Sequence, residues 1–236
     1  MHITTPGMGL CCVSRCGKPT RGYSKYCGKH ALHDQRHGHP EQRPVLKQDL
    51  RSTIDQLEKW ARHPEAASTL ASIVDHYREA AEALAKADLQ LRLEEDRRGI
   101  IHNTTERRVI RTIAQVLASK DPRVTVLELL ALGVMYEEQP HVFKNHTSFQ
   151  CEAVITFLRN SGAFRKKTFR PASGKVTAAT RYLPRKLAAA IGEWLIETVI
   201  IYGFKLSRIW NNDARQKQEA RDRLTLTLAG TAFVGP

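Results

Sequence analysis

Cysteine is almost missing beyond the first 27 residues. Four of the five cysteines lie there, and Cys151 stands alone. A disulfide framework spreads along a secreted chain, so this distribution argues against one. No long hydrophobic run is evident either. The longest lies around Trp194 to Phe204, with Glu193 and Glu197 in its neighbourhood, and reads as too short for a membrane span. Met1 to Leu10 has neither a basic start nor an apolar stretch, so no signal peptide is expected. The expected setting is the cytoplasm, or the nucleoid of a bacterial cell, with no membrane partner. Recognisable catalytic signatures are lacking too. There is no phosphate-binding Walker loop, no paired-carboxylate nuclease pattern and no serine or tyrosine recombinase pattern, so no enzymatic activity is expected.

Acidic residues are in deficit, 24 against 37 basic, for a net charge of +13. Such a balance favours nucleic acid, an acidic protein or an anionic surface. The surplus is uneven. Residues 1–44 hold seven basic and two acidic groups, 45–100 hold nine and eleven, 101–183 hold thirteen and six, and 184–236 hold eight and five. Two positive blocks thus flank a near-neutral spacer.

The cysteines follow the spacing Cys11-x4-Cys16-x10-Cys27-x2-His30. Two ligand pairs separated by about ten residues can close a tetrahedron, and thiolates with an imidazole suit Zn2+ rather than Ca2+ or Mg2+. So short a segment cannot bury a core, so the metal must supply its folding energy. The stretch CCVSRCGKPTRGYSKYCGKHALHDQRHGHP resembles a zinc-binding module found at the start of phage and mobile-element proteins, including many HNH endonucleases. Cys11, Val13, Cys16, Lys18, Pro19, Cys27, His30, Arg36, Gly38 and Pro40 match it in order. Arg15 stands where that module usually has glycine. The resemblance covers residues 11–40 and implies metal binding and a phage, plasmid or transposon home. Cys11 reproduces the module's spacing, while Cys12 would shorten it by one. His33, His37 and His39 lie close by. An HNH nuclease would need further metal ligands; His102 and His146 sit in isolated dipeptides and read as loop and cap residues.

Residues 45–100 read as a helical hairpin or coiled-coil spacer. Leu46, Leu50, Ile54, Leu57 and Trp60 form one stripe, His63-Pro64 breaks it, and Leu70, Val74, Tyr77, Ala81, Leu84 and Leu91 form a heptad-like seam with Asp88 as its polar intruder. Residues 101–183 read as three helices followed by a basic β-hairpin, the order of a winged helix-turn-helix domain. The helix starts are expected at Asn103-x-x-Glu106, Thr125-x-x-Glu128 and Thr147-x-x-Gln150. The connection from about Tyr136 to His146 is long for a helix-turn-helix. If the third helix enters a major groove, Asn145, His146, Thr147, Ser148 and Gln150 face bases, with Gln150 the best candidate for reading adenine. Arg165, Lys166, Lys167, Arg170, Lys175 and Arg181 crowd the hairpin without one acid and suit phosphate contact. Residues 184–236 hold an apolar helix from Arg185 to about Asn211, for packing or oligomerisation, and a tail whose alternation suggests an edge strand.

The expected architecture is mainly α with a small β-hairpin: zinc knuckle (1–44), helical spacer (45–100), winged-helix-like domain (101–183) and buried C-terminal helix (184–236). The expected function is DNA binding in a phage or mobile element, as regulator or as replication or recombination accessory. Duplex DNA is the expected partner, with a homodimer or a larger nucleoprotein complex as further ones. The alternatives are a subunit that docks onto a polymerase or nucleoprotein complex, and a divergent metal-dependent nuclease.

Overall fold

The computed structural model describes residues 9–99, 104–159, 161, 165–170, 175–180 and 183–231, with the two strands and residues 220–231 described by backbone alone. The chain is mainly helical. The helices are α1 (Gly28–His37), α2 (Lys47–Trp60), α3 (Pro64–Arg98), α4 (Thr105–Leu117), α5 (Pro122–Glu138), α6 (His146–Leu158), α7 (Arg185–Leu195) and α8 (Ile201–Thr231). A 3-10 turn, Pro140–Val142, leads into α6, and a π-helical turn, Ile196–Ile200, joins α7 to α8. Strands β1 (Arg165–Arg170) and β2 (Lys175–Thr180) pair antiparallel, Arg165 opposite Thr180 and Arg170 opposite Lys175.

Helix α5 is the axis of the core. Every residue from Thr125 to Met135 is buried, so apolar side chains all round it must meet other elements. Helices α2, α3, α6 and α8 and the π turn pack against it. The closest approach is at α8, where a Cβ on Gly203 would lie 2.5 Å from the Leu130 carbonyl oxygen. Only glycine allows two backbones to meet there.

Most of the two spacer stripes is spent on this core, while Leu46 and Leu91, expected on them, stay exposed. Leu50 and Leu57 of α2 are fully buried, as are Leu70, Tyr77 and Ala81 of α3. Asp88 is buried because it pairs with Arg92 at 2.5 Å and faces Arg107 of α4, which also pairs with Glu95. The polar intruder in the seam thus ties α3 to α4.

Three helix starts differ from expectation. Thr104 caps α4, accepting from the Arg107 N–H, while Asn103 lies outside the described residues. Asp121 caps α5 with Pro122 in the first turn, four residues before Thr125. Asn145, not Thr147, caps α6 and accepts from the Ser148 N–H at 2.7 Å. In each case a nearer Asp, Asn or Thr satisfies the first-turn amides.

The C-terminal helix also runs on. From Arg185 the chain stays helical to Thr231, so the expected edge strand is not formed among the described residues of the tail. No glycine or proline interrupts residues 204–229, and Arg215 pairs with Glu219 one turn on; the alternating threonines and leucines follow a helix already under way. Leu187, Ile191, Leu195, Val199, Ile200 and Leu206 enter the same core as α5. The segment Arg185–Glu219 is long and apolar enough to span a bilayer, with a window of mean hydropathy 1.5, but half of that window is buried inside the chain.

One buried ion pair closes the core's end. Lys120 Nζ donates to Glu128 Oε2 at 2.7 Å and to the Thr156 carbonyl, in the last turn of α6, at 3.3 Å. Burial pushes the lysine below its ordinary value, and Glu128 opposes the shift. Lys120→Met leaves a buried carboxylate without its cation. It is expected to cost about 3–5 kcal/mol in urea unfolding, and Lys120→Met with Glu128→Leu should recover much of that loss.

Candidate metal centre

The N-terminal segment has little core of its own and is held by short backbone bonds. The Cys11 N–H donates to the Lys18 carbonyl at 2.9 Å, the Cys12 N–H to Lys25 at 3.0 Å, and the Thr20 N–H to Gly9 at 2.8 Å. A tight turn returns the Cys16 N–H to the Val13 carbonyl, with Arg15 at a φ of 62°. That left-handed conformation favours glycine, the residue the resembling modules carry there. Cys27 is the N-cap of α1, and His30 follows in its first turn.

These constraints gather four ligand atoms. The sulfurs of Cys11, Cys16 and Cys27 and a nitrogen of His30 all lie within 4.8 Å of one another. The edges are 3.3 Å from Cys11 Sγ to His30 Nδ1, 3.7 Å from Cys16 Sγ to Cys27 Sγ, and 3.5 Å from Cys27 Sγ to His30 Nδ1. Tetrahedral zinc with ordinary bond lengths needs edges of roughly 3.8 Å between sulfurs and roughly 3.6 Å between sulfur and nitrogen. The site could hold a metal ion, and its donors fit zinc.

Electrostatics favour the same occupant. The nearby N–H of His30, then contacts with the Cys16 and Cys11 side chains and last the N–H of Lys29, hold the Cys27 thiol below its ordinary value against the effect of burial. The two N–H groups are the electropositive end of α1 acting on its cap. At Cys16 the Lys18 N–H acts the same way, but burial and the neighbouring Cys27 and Cys11 sulfurs outweigh it and the thiol is pushed up. Crowded sulfurs resist ionising together unless a cation sits among them.

Comparison with protein-family models, curated proteins and solved structures yields no significant match.

Cys12 is exposed and stays outside the cluster. The other histidines are engaged elsewhere. His33 Nε2 lies 2.5 Å from the Gln42 carbonyl, His39 Nδ1 accepts from the Glu41 N–H, and His37 Nδ1 donates to Glu152 Oε1 at 2.6 Å. The last contact docks the module on the core. Glu152 is fully buried in α6, and its second oxygen accepts from the Val45 N–H at 2.9 Å. Gly38, at φ 73°, ends α1 against α6; a Cβ there would fall 2.7 Å from the Thr147 carbonyl. Gln42 then bridges the Val142 carbonyl and the Lys144 N–H. Arg185 reaches Asp34 from α7. Of these docking residues, His37 and Gly38 stood out in the sequence only as neighbours of the ligands, and Gln42, Glu152 and Arg185 did not stand out at all. The run Arg36, Gly38, Pro40 just past the last ligand was the available signal.

The proposed base readers are not gathered on an open face. Asn145 serves as a cap, His146 is exposed, and Thr147 is half-buried beside Gly38. Ser148 is buried. Gln150 is buried as well, and its amide donates to Glu193 Oε2 at 2.9 Å. From Ser148 to Leu158 only Ile155 escapes full burial. Only Asn145 and His146, at the start of α6, stay exposed; Gln150, expected to read bases, is a core residue held by Glu193. Arg165, Lys166, Lys167 and Arg170 lie on β1 and Lys175 on β2, while His102 and Arg181 fall outside the described residues.

The cysteine environments predict a labelling pattern. Cys151 is buried, and its thiol is pushed up to about 11, chiefly by burial, which makes it inert at neutral pH. Zinc-loaded native protein should take one alkyl label, lost in Cys12→Ser. Chelation should add three labels at Cys11, Cys16 and Cys27, and denaturation should add Cys151; mass spectrometry reads the count.

Proposed function

We propose that the chain is a zinc-stabilised nucleic-acid-binding protein that grips phosphate with the surface of its N-terminal knuckle, assisted by the basic hairpin. The observation that carries this reading is the rim of the metal site. Arg15, Lys18, Arg21, Lys25 and Lys29 are all exposed, and residues 9–33 contain no acid. Cations so placed on a rigid frame attract a polyanion and release its counterions. The hairpin supports the same reading: by its register Lys166, Arg170 and Lys175 occupy positions on one face.

The three helices and hairpin of 104–180 keep the chain order of a winged helix-turn-helix. A buried α6 moves the contact away from groove reading, so the grip we propose is largely independent of sequence. A role as regulator or as replication or recombination accessory of a mobile element, and assembly as a dimer or in a nucleoprotein complex, remain part of this proposal through the resemblance of residues 11–40. Catalysis is not part of it.

Fluorescence anisotropy of the zinc-loaded full chain with mixed-sequence DNA, single- and double-stranded, tests the reading. Affinity should fall steeply with salt. Lys18→Glu with Lys25→Glu, and separately Lys166→Glu with Lys167→Glu, should each weaken binding about tenfold or more and flatten the log–log salt slope by about one to two. Absent or salt-independent binding of both forms would remove the proposal and favour a protein partner.

A further inference from the structure

Tyr23 stands fully in solvent, at 101% relative exposure, midway along the loop between Cys16 and Cys27. A ring of that size usually hides part of its surface. Here the loop fixes its backbone instead. The Ser24 N–H donates to the Arg21 carbonyl at 3.2 Å, Ser24 Oγ donates to the Tyr26 carbonyl at 2.9 Å, and the Tyr26 N–H donates back to Ser24 Oγ at 3.3 Å. The Lys25 carbonyl is pinned by the Cys12 N–H, which ties the loop tip to the segment that carries Cys11. Tyr23 is thus presented on a tip whose backbone is braced by hydrogen bonds. Exposed Arg21 and Lys25 flank it two positions away on either side.

An aromatic platform between two cations suits one ligand chemistry: a base face with phosphates on both sides. Bases in a duplex are stacked on each other and closed to a lone ring, and α6, the helix expected to read a groove, is packed along most of its length. We infer that the Arg21–Lys25 loop stacks an unpaired base on Tyr23, so that the knuckle's ligand class is single-stranded nucleic acid rather than duplex. This inference rests on the nucleic-acid reading above and adds the strandedness and the residue that selects it.

The test compares the zinc-loaded full chain, Tyr23→Ala and Tyr23→Trp on an oligothymidylate of about twenty nucleotides and on a mixed-sequence duplex of equal length, at one salt concentration. The wild type should prefer the single strand. Tyr23→Ala should lose about tenfold on the single strand, in line with the loss of one stacked base, and little on the duplex, while Tyr23→Trp should retain the preference. Zinc content and the alkylation count should be unchanged in both variants, which separates stacking from folding. Equal or stronger duplex binding by the wild type would overturn the inference and leave the phosphate grip standing. So would single-strand binding indifferent to Tyr23→Ala. Binding to neither probe would overturn the nucleic-acid reading itself, and this inference with it.

Discussion

A single carboxylate sets the arrangement of the molecule. Glu152 lies in α6 with no exposure to solvent, and both of its oxygens are used, one by His37 and one by the Val45 backbone. A buried carboxylate left without partners costs several kcal/mol, so these two contacts are strongly specified once α6 packs. They fix the end of α1 and the extended segment that follows it. Gly38 allows the contact by bringing its backbone against Thr147, and Gln42 carries the same segment across the turn before α6. The metal module is therefore held internally by its ligands and externally by α6, and its basic rim is left facing away from the core.

The same docking decides what α6 can do. Covered by the module at its first turn and by α5 and α7 along its length, it is a core element. Three of its buried polar residues are satisfied from within: Gln150 by Glu193, Ser148 by Asn145, Glu152 by His37. Polar residues at a helix start look like a reading head in a sequence, because burial is invisible there. Three-dimensional satisfaction of their hydrogen bonds is what tells the two cases apart.

What could be read in advance follows the range of the underlying chemistry. The ligand set is legible because metal coordination depends on residue type at short spacing, and Cys11, Cys16, Cys27 and His30 do converge. The helix break at His63-Pro64 is legible because proline acts locally. Caps were missed by one to four residues, at Thr104, Asp121 and Asn145, since several Asn, Asp and Thr side chains compete for each helix start. The heptad seam of α3 is apolar and packed from Leu70 to Leu84 but not at exposed Leu91, and a stripe does not name its partner. Asp88, salt-bridged toward α4, shows that this one serves the chain's own core. The docking pair of His37 and Glu152 is separated by 115 positions, and no local pattern encodes it.

A metal held by these four ligands would also explain why the knuckle can expose what it exposes. A segment of this size without a metal or disulfides would have to spend its few large side chains on a core of its own. Tyr23 would then be expected inside, with Leu10 and Leu32. Instead Leu10 is 68% exposed, Leu32 44%, and Tyr23 entirely so. Metal ligation supplies folding energy without consuming apolar surface, which releases the aromatic and the cations around it for contact with something else. A rigid frame that needs no core of its own can devote nearly all of its outer surface to binding, and the charge it carries there is of one sign.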